Sequence, residues 1–225
     1  MVEEWCVPEC SAEFVSAMED VLAVYERPYD PLRPVVCVDE SSRQLVAHAR
    51  DPLPGAPGRP ARQDCEYVRN GVADVFMAFE PLGCVRHARV TERRAAVDFA
   101  EELRLISDVW YPHAERVVLV MDNLNTHTMA SLYKAFPPAE ARRLAERFEV
   151  HYTPRHGSWL DMAEVEIGVL MRHGLPQRVA TMEDMRRLVR EWELARNESC
   201  ATVDWQFTRE DARIKLKHLY PKYSA

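Results

Sequence analysis

Asp39 and Asp122 each stand directly after an apolar run, Val35-Val36-Cys37-Val38 in the first case and Val117-Val118-Leu119-Val120-Met121 in the second. Such runs read as buried strands, which places each carboxylate at a strand's C-terminal mouth, where open α/β sheets bind their ligands. Taken singly, either aspartate is as well explained as a turn or cap residue. A third acid changes the balance, because three carboxylates converging without His or Cys make an all-oxygen site suited to Mg²⁺ or Mn²⁺. The candidates are Asp161, Glu164 and Glu166, on a helix that Ser158 opens. Asp161 reads as the capping acid of that helix, whereas Glu164 and Glu166 both face apolar neighbours at helical spacing, and periodicity does not separate them.

The elements that must hold these acids can be read along the chain. Ser11 caps a helix carrying Phe14, Val15, Met18, Val21, Leu22 and Tyr25, which Pro28 and Asp30-Pro31 end. Two short strands follow at 35–38 and 44–47, with a turn at 39–43, and then a Pro/Gly loop over 51–63. Strands at 72–79 and 84–90 complete a meander, and a helix with Ala96, Phe99, Leu103, Ile106 and Trp110 on one stripe packs over it, with Thr91 as its cap. The buried strand ending at Met121 precedes a helical stretch from 130 to 148 broken at Pro137-Pro138, then a strand at 148–152. Capping boxes at Ser158/Asp161, Thr181/Asp184 and Thr208/Asp211 announce three further helices. This order predicts an α/β fold with a mixed β-sheet flanked by helices.

Composition narrows the function. The chain has 225 residues, 47% hydrophobic and 29% charged, as an ordinary globular protein does. With neither a basic start nor an apolar leader, it is expected in the cytoplasm. The six cysteines are therefore expected as reduced thiols, and the Cys6/Cys10 spacing alone does not make a zinc site. The net charge of −7 is that of residues 1–30 by themselves, so the rest is neutral, with basic clusters at Arg86, Arg89, Arg93 and Arg94, at Arg186, Arg187 and Arg190, and at Arg213, Lys215, Lys217 and Lys222. Each cluster reads first as a solvated face, but such stripes are compatible with DNA. Phosphate-binding loops, dinucleotide fingerprints, nucleophile elbows and zinc-protease helices are all absent from the sequence.

Three strings carry a resemblance. They are Val36-Cys37-Val38-Asp39-Glu40, the block from Val118 to Asp122-Asn123-Leu124-Asn125-Thr126-His127, and the block Tyr152-Thr153-Pro154-Arg155-His156-Gly157-Ser158-Trp159-Leu160-Asp161-Met162-Ala163-Glu164. They resemble the signature blocks of the DDE transposases of the insertion sequence 630 family, part of the mariner superfamily. The resemblance runs from about Trp5 to Tyr220. It implies a ribonuclease-H-like fold over 35–225, preceded by a linker helix segment at 1–34, and a catalytic, metal-binding triad of Asp39, Asp122 and Glu164. It selects Glu164 over Glu166, because family members place the acid five residues after the Trp of Ser-Trp-Leu.

The resemblance further implies two Mg²⁺ or Mn²⁺ ions about 3.5–4 Å apart, cutting DNA at the element's ends and joining the freed 3′ ends to a target, within a homodimer on DNA. Asn123 and His127 beside Asp122, and Arg155 and His156 in the loop before the Glu164 helix, are candidate DNA contacts; loop or cap roles are the plainer alternative. The chain departs from the family in carrying Asp161 where Asn is usual, in lacking a Lys near Ser41, and in a less polar 171–174. It also begins just before the catalytic domain, without the helix-turn-helix region of full members. The expectation is either the second reading frame of a split element, with an upstream helix-turn-helix product as partner, or a truncated and inactive remnant that binds DNA or protein.

Overall fold

A computed structural model describes residues 11–124 and 127–221. Cys6, Cys10, the Asn125-Thr126 pair and Lys222 lie outside the described residues. Ser11 caps α1 (Ala12–Tyr25) as expected, its hydroxyl accepting the Phe14 N–H at 3.0 Å, and Met18, Val21 and Leu22 turn inward. Next comes β1 (Val35–His48), a single long strand where the sequence suggested two strands and a turn. The polar 39–43 stretch stays in the sheet because it pairs residue by residue with β2 (Tyr67–Glu80), Asp39 opposite Met77 and Ser42 opposite Asp74. The Ser42 hydroxyl donates to the Asp74 carboxylate at 2.5 Å. The irregularity comes later, as a bulge between Gln44 and Val46.

The meander closes with β3 (Val85–Thr91), and the sheet continues on the other side of β1 through β4 (Val117–Met121) and β5 (Phe148–Tyr152). Its order is β3-β2-β1-β4-β5, antiparallel across the first three strands and parallel from β1 to β4 to β5. The mixed sheet flanked by helices is therefore as expected. Thr91 ends β3 rather than capping the next helix; that role falls to Asp98, whose carboxylate accepts the Ala95 N–H at 2.9 Å ahead of α2 (Ala96–Leu105). A single wide turn, Ile106–Trp110, extends α2.

Both sheet faces are covered. Val36, Val38, Phe76, Leu119 and Met121 meet Phe99 and Leu103 of α2, Leu132 of α3 (Ala130–Ala135) and Leu144 of α4 (Pro138–Glu146). Cys37, Val75, Met77, Val118 and Val120 meet α1, α5 (Met162–Val169), α6 (Met182–Glu198) and α7 (Arg209–Lys215). Alternation of side chains along each strand divides these sets, and β4 is buried throughout, as its continuous apolar run predicted. Thr181 and Thr208 cap α6 and α7 as expected. Ser158 instead opens a short tight turn, Ser158–Leu160, and Asp161 itself is the N-cap of α5.

One further sequence expectation is corrected. Cys84 and Cys200 form a disulfide, with Cα atoms 5.0 Å apart, where all six thiols were expected reduced. The two are 116 residues apart in sequence, and only the packing of α6 beside β3 brings them together. The acid-rich N-terminal region is also partly neutralised within the fold, since Glu19 pairs with Arg213 and Glu26 with Arg209, each at 2.7 Å, tying α1 to α7. Arg209 and Arg213 are thereby spent on the protein's own carboxylates. No described helix is long and apolar enough to cross a membrane.

Candidate active site

The register of β1 and β4 builds the first half of the site. The two strands run parallel with Val38 against Met121, so Asp122 leaves the C-terminal end of β4 level with Asp39. Asp39 itself stands inside β1 and not at the strand's mouth that was expected, because β1 runs on past β4 and pairs Asp39 with Met77 of β2. Thr153 extends this edge, its N–H donating to the Met121 carbonyl at 2.9 Å, and starts the loop that leads to α5. That loop turns tightly. His156 adopts a left-handed backbone (φ 63°), and a Cβ on Gly157 would stand 2.6 Å from the Pro154 side chain, so glycine is required there. Arg155 and His156 point outward on its exposed crest, and Asn123 is exposed beside Asp122. The chain then enters α5, which packs on β1 and carries an exposed Glu164 in its first turn, where the helix dipole favours a negative charge.

Electrostatics confirm the proximity of these acids. Burial raises the Asp39 carboxyl to about 7, against the Glu40 N–H it accepts at 2.8 Å, and the charges of Glu40, Asp122 and Glu164 push it the same way. Asp161 feels Asp39, Glu164 and Asp122 as well, and with its burial they hold its carboxyl well above the usual range. The sequence offered Asp161 as a candidate acid better explained as a cap, standing where the family that the chain resembles has Asn. It does cap α5, and its carboxyl also lies within reach of the charges of the other three.

His127 is a buried, partnered histidine, the plainer of the two roles that the sequence left open. It is 1% exposed, with Nδ1 against the Asp122 carboxylate and Nε2 2.5 Å from Glu40 Oε2, so neither nitrogen is left for a phosphate. Burial alone would lower its pKa, but these two carboxylates push it up to about 9, and the Phe99 ring packs 4.6 Å from the imidazole. The imidazolium thus fixes Asp122 and ties it to Glu40. Arg94 approaches Glu40 from the surface at 3.5 Å. The signals for this arrangement were the Asp39-Glu40 dipeptide and a His five residues beyond Asp122.

The two glutamates of α5 that periodicity could not separate have unlike surroundings. Glu166 is buried, 3.0 Å from Nε of the fully buried Arg86 and held by two 2.9 Å bonds from Arg196. Glu164 is exposed on the side of Asp39. Arg86, read in the sequence as part of a basic cluster, is an internal counter-ion, and Arg89 is likewise turned onto buried Glu102 at 2.6 Å. Arg93 and Arg94 are the exposed members of that group, with side chains 73% and 52% exposed against 26% for Arg89.

Asp39, Asp122, Glu164 and Asp161 supply oxygen donors only, as a hard divalent cation requires. Asp161 Oδ2 is buried with no hydrogen-bond partner, and a buried polar atom of this kind calls for a ligand or a proton. Among the described residues, no three His, Cys, Asp or Glu side chains are already gathered into a cage. The donors therefore fit such an ion in chemical type while leaving much of its coordination open.

No curated protein matches the sequence. Solved structures do match the fold. The Mos1 strand transfer complex aligns with a TM-score of 0.57 at 16% identity, over 87% of this chain and 59% of that one. The mariner Mos1 paired end complex with Mg gives 0.60 at 18%, over 99% and 67%. The catalytic domain of Mos1 mariner transposase gives 0.55 at 15%, over 87% and 96%. This chain thus spans about three-fifths of the Mos1 chain in the strand transfer complex and nearly all of the isolated catalytic domain, whose ribonuclease-H-like fold it shares. A family model described as DDE superfamily endonuclease matches residues 34–186, a stretch that begins just before β1 and takes in Asp39, Asp122 and Glu164. The chain belongs to the DDE endonuclease superfamily.

Proposed function

We propose that this chain is the catalytic domain of a DNA transposase of the insertion sequence 630 type, with Asp39, Asp122 and Glu164 as its catalytic, metal-binding carboxylates. The observation that carries the reading is the pairing of Val38 with Met121, which sets Asp39 of β1 level with Asp122 at the end of β4, with Glu164 on α5 packed against β1. The three would hold two Mg²⁺ or Mn²⁺ ions, and DNA oxygens would complete the coordination. When bound, such ions activate a water or 3′-hydroxyl and neutralise the leaving oxygen. The resemblance to paired-end and strand-transfer complexes of Mos1 supports transposon ends and target DNA as partners and a dimer as the working state.

The protein's own residues prepare that chemistry. His127 holds one oxygen of Asp122 and leaves the other for a ligand. Exposed Arg93 and Arg94 just after β3, Asn123 next to Asp122, and Arg155 and His156 in the loop before α5 would offer backbone-phosphate contacts that position DNA without reading its sequence. Residues 1–34 lead into this domain, and an upstream helix-turn-helix product would supply end recognition to a protein acting on DNA in the bacterial cytosol.

Nicking of supercoiled plasmid in Mg²⁺ or Mn²⁺ tests the reading without requiring the end sequence. The wild-type chain should nick. Asp39→Asn, Asp122→Asn and Glu164→Gln should each lose about 10²-fold or more, the range for removing a group that stabilises transition-state charge. Equal nicking by all three variants, or none by the wild type in either metal, would refute it.

A further inference from the structure

Asp161 lies at the foot of the acidic cluster and is 1% exposed. Its Oδ1 is committed, accepting the Ala163 N–H at 2.8 Å as the N-cap of α5. Its Oδ2 is equally buried and has no hydrogen-bond partner. The neighbours below do not supply one. The Tyr25 hydroxyl donates to the Leu160 carbonyl at 2.6 Å, and the buried Cys37 thiol lies 3.4 Å from that same hydroxyl. The carboxylates whose charges act on Asp161 are Asp39, Glu164 and Asp122, all of its own sign. A cap needs one oxygen, and Asn would serve it as well as Asp. The second oxygen and the charge are therefore surplus to the helix, and burial among like charges keeps the carboxyl protonated unless a cation takes the proton's place.

We propose that Asp161 is a fourth carboxylate of the cation site, its Oδ2 serving as a ligand beside Asp39 and Glu164. This rests on the metal site proposed above and extends it. Affinity for hard cations rises with the number of charged oxygen ligands, so four carboxylates should let this chain bind Mn²⁺ on its own, before DNA contributes any oxygen.

The test is a calorimetric titration of Mn²⁺ into the full chain without DNA, with free Mn²⁺ followed by electron paramagnetic resonance, for the wild type, Asp161→Asn and Asp39→Asn. Asp161→Asn keeps the cap and removes the charge. It should weaken Mn²⁺ binding about 10-fold or more while melting without metal at or above the wild-type temperature. An affinity within about twofold of wild type, in a variant that melts normally, overturns the assignment, as does a wild type that binds no Mn²⁺ alone. The wider reading fails separately. If Asp39→Asn binds Mn²⁺ as the wild type does, the cation site itself is wrong; if only Asp161→Asn does, the three-carboxylate site stands and the fourth ligand falls.

Discussion

Replacing Glu166 by Ala should unfold the protein far more readily than replacing Glu164, two residues earlier on the same short helix. Arg86 is fully buried. Its side chain binds Glu166 at 3.0 Å, Asn197 Oδ1 at 3.1 Å and the Ala201 carbonyl. Both Asn197 and Ala201 are neutral, so Glu166 balances the Arg86 charge while also taking two bonds from Arg196. Without Glu166, an uncompensated guanidinium is stranded between β3, α5 and α6, a situation that costs about 3–5 kcal/mol. At about 2–4 °C per kcal/mol for a chain of this size, the melting temperature should fall by roughly 6–20 °C. Glu166→Gln keeps one acceptor and should lose less, about 2 kcal/mol. Glu164→Gln, at an exposed position, should stay within about 0.5 kcal/mol of wild type. Urea unfolding followed by circular dichroism, with calorimetric melting in parallel, measures all three. A loss below about 1 kcal/mol for Glu166→Ala would show that the Arg86 charge is satisfied some other way, and the structural assignment of Glu166 would fall.

Other outcomes follow from the same electrostatics. Because burial raises the Asp39 carboxyl to about 7, ionising it destabilises the metal-free fold progressively as pH climbs from the ordinary aspartate range through 7. Asp39→Asn should therefore raise the metal-free melting temperature at pH 8, the gain fading toward pH 4, and should abolish stabilisation by Mn²⁺; an unchanged Mn²⁺ shift in this variant refutes the site. His127 carries the opposite sign. Its folded pKa of about 9 exceeds the ordinary value of 6.5, so its contribution is complete below 6.5 and is lost as pH rises through 9, and an imidazole NMR titration of metal-free protein with a midpoint near 6.5 would contradict the Asp122–His127–Glu40 bridge. Reducing the Cys84–Cys200 disulfide, which closes a long loop, should lower stability by up to about 4–5 kcal/mol; a thiol count under denaturing, non-reducing conditions equal to the full six cysteines would show that the bond does not form.

The fold was legible wherever one rule acted alone. The apolar run at β4 needed burial on both faces, and α1 announced itself by cap and spacing. Reading failed where partners distant in sequence decide the outcome. The polar residues of 39–43 look like a turn until β2 is placed alongside, after which they are ordinary members of a paired strand with the Asp74 carboxylate to receive Ser42. Cys84 and Cys200 offer no local sign of pairing, since α6 must first dock beside β3.

The same reasoning explains why the site was only half readable. Asp122 follows from a strand end, a local property, whereas Asp39 stands inside β1, and parallel pairing then sets the two level with each other. Choosing between Glu164 and Glu166 depends instead on what lies across from α5, and that is settled on β3. Alternation sends Arg86 to the α5–α6 face with Ala88 and Val90, and Arg89 to the α2 face onto Glu102. In the linear sequence these arginines merge with Arg93 and Arg94 into one basic cluster, when Arg86 is an internal counter-ion, Arg89 is half-buried on Glu102, and the other two face solvent. Once Arg86 is known to be inside, Glu166 is its partner and is unavailable to a ligand. Glu164 then remains as the helix's exposed acid beside Asp39, and Asp161, whose second oxygen has no partner, remains as the acid that capping alone does not account for.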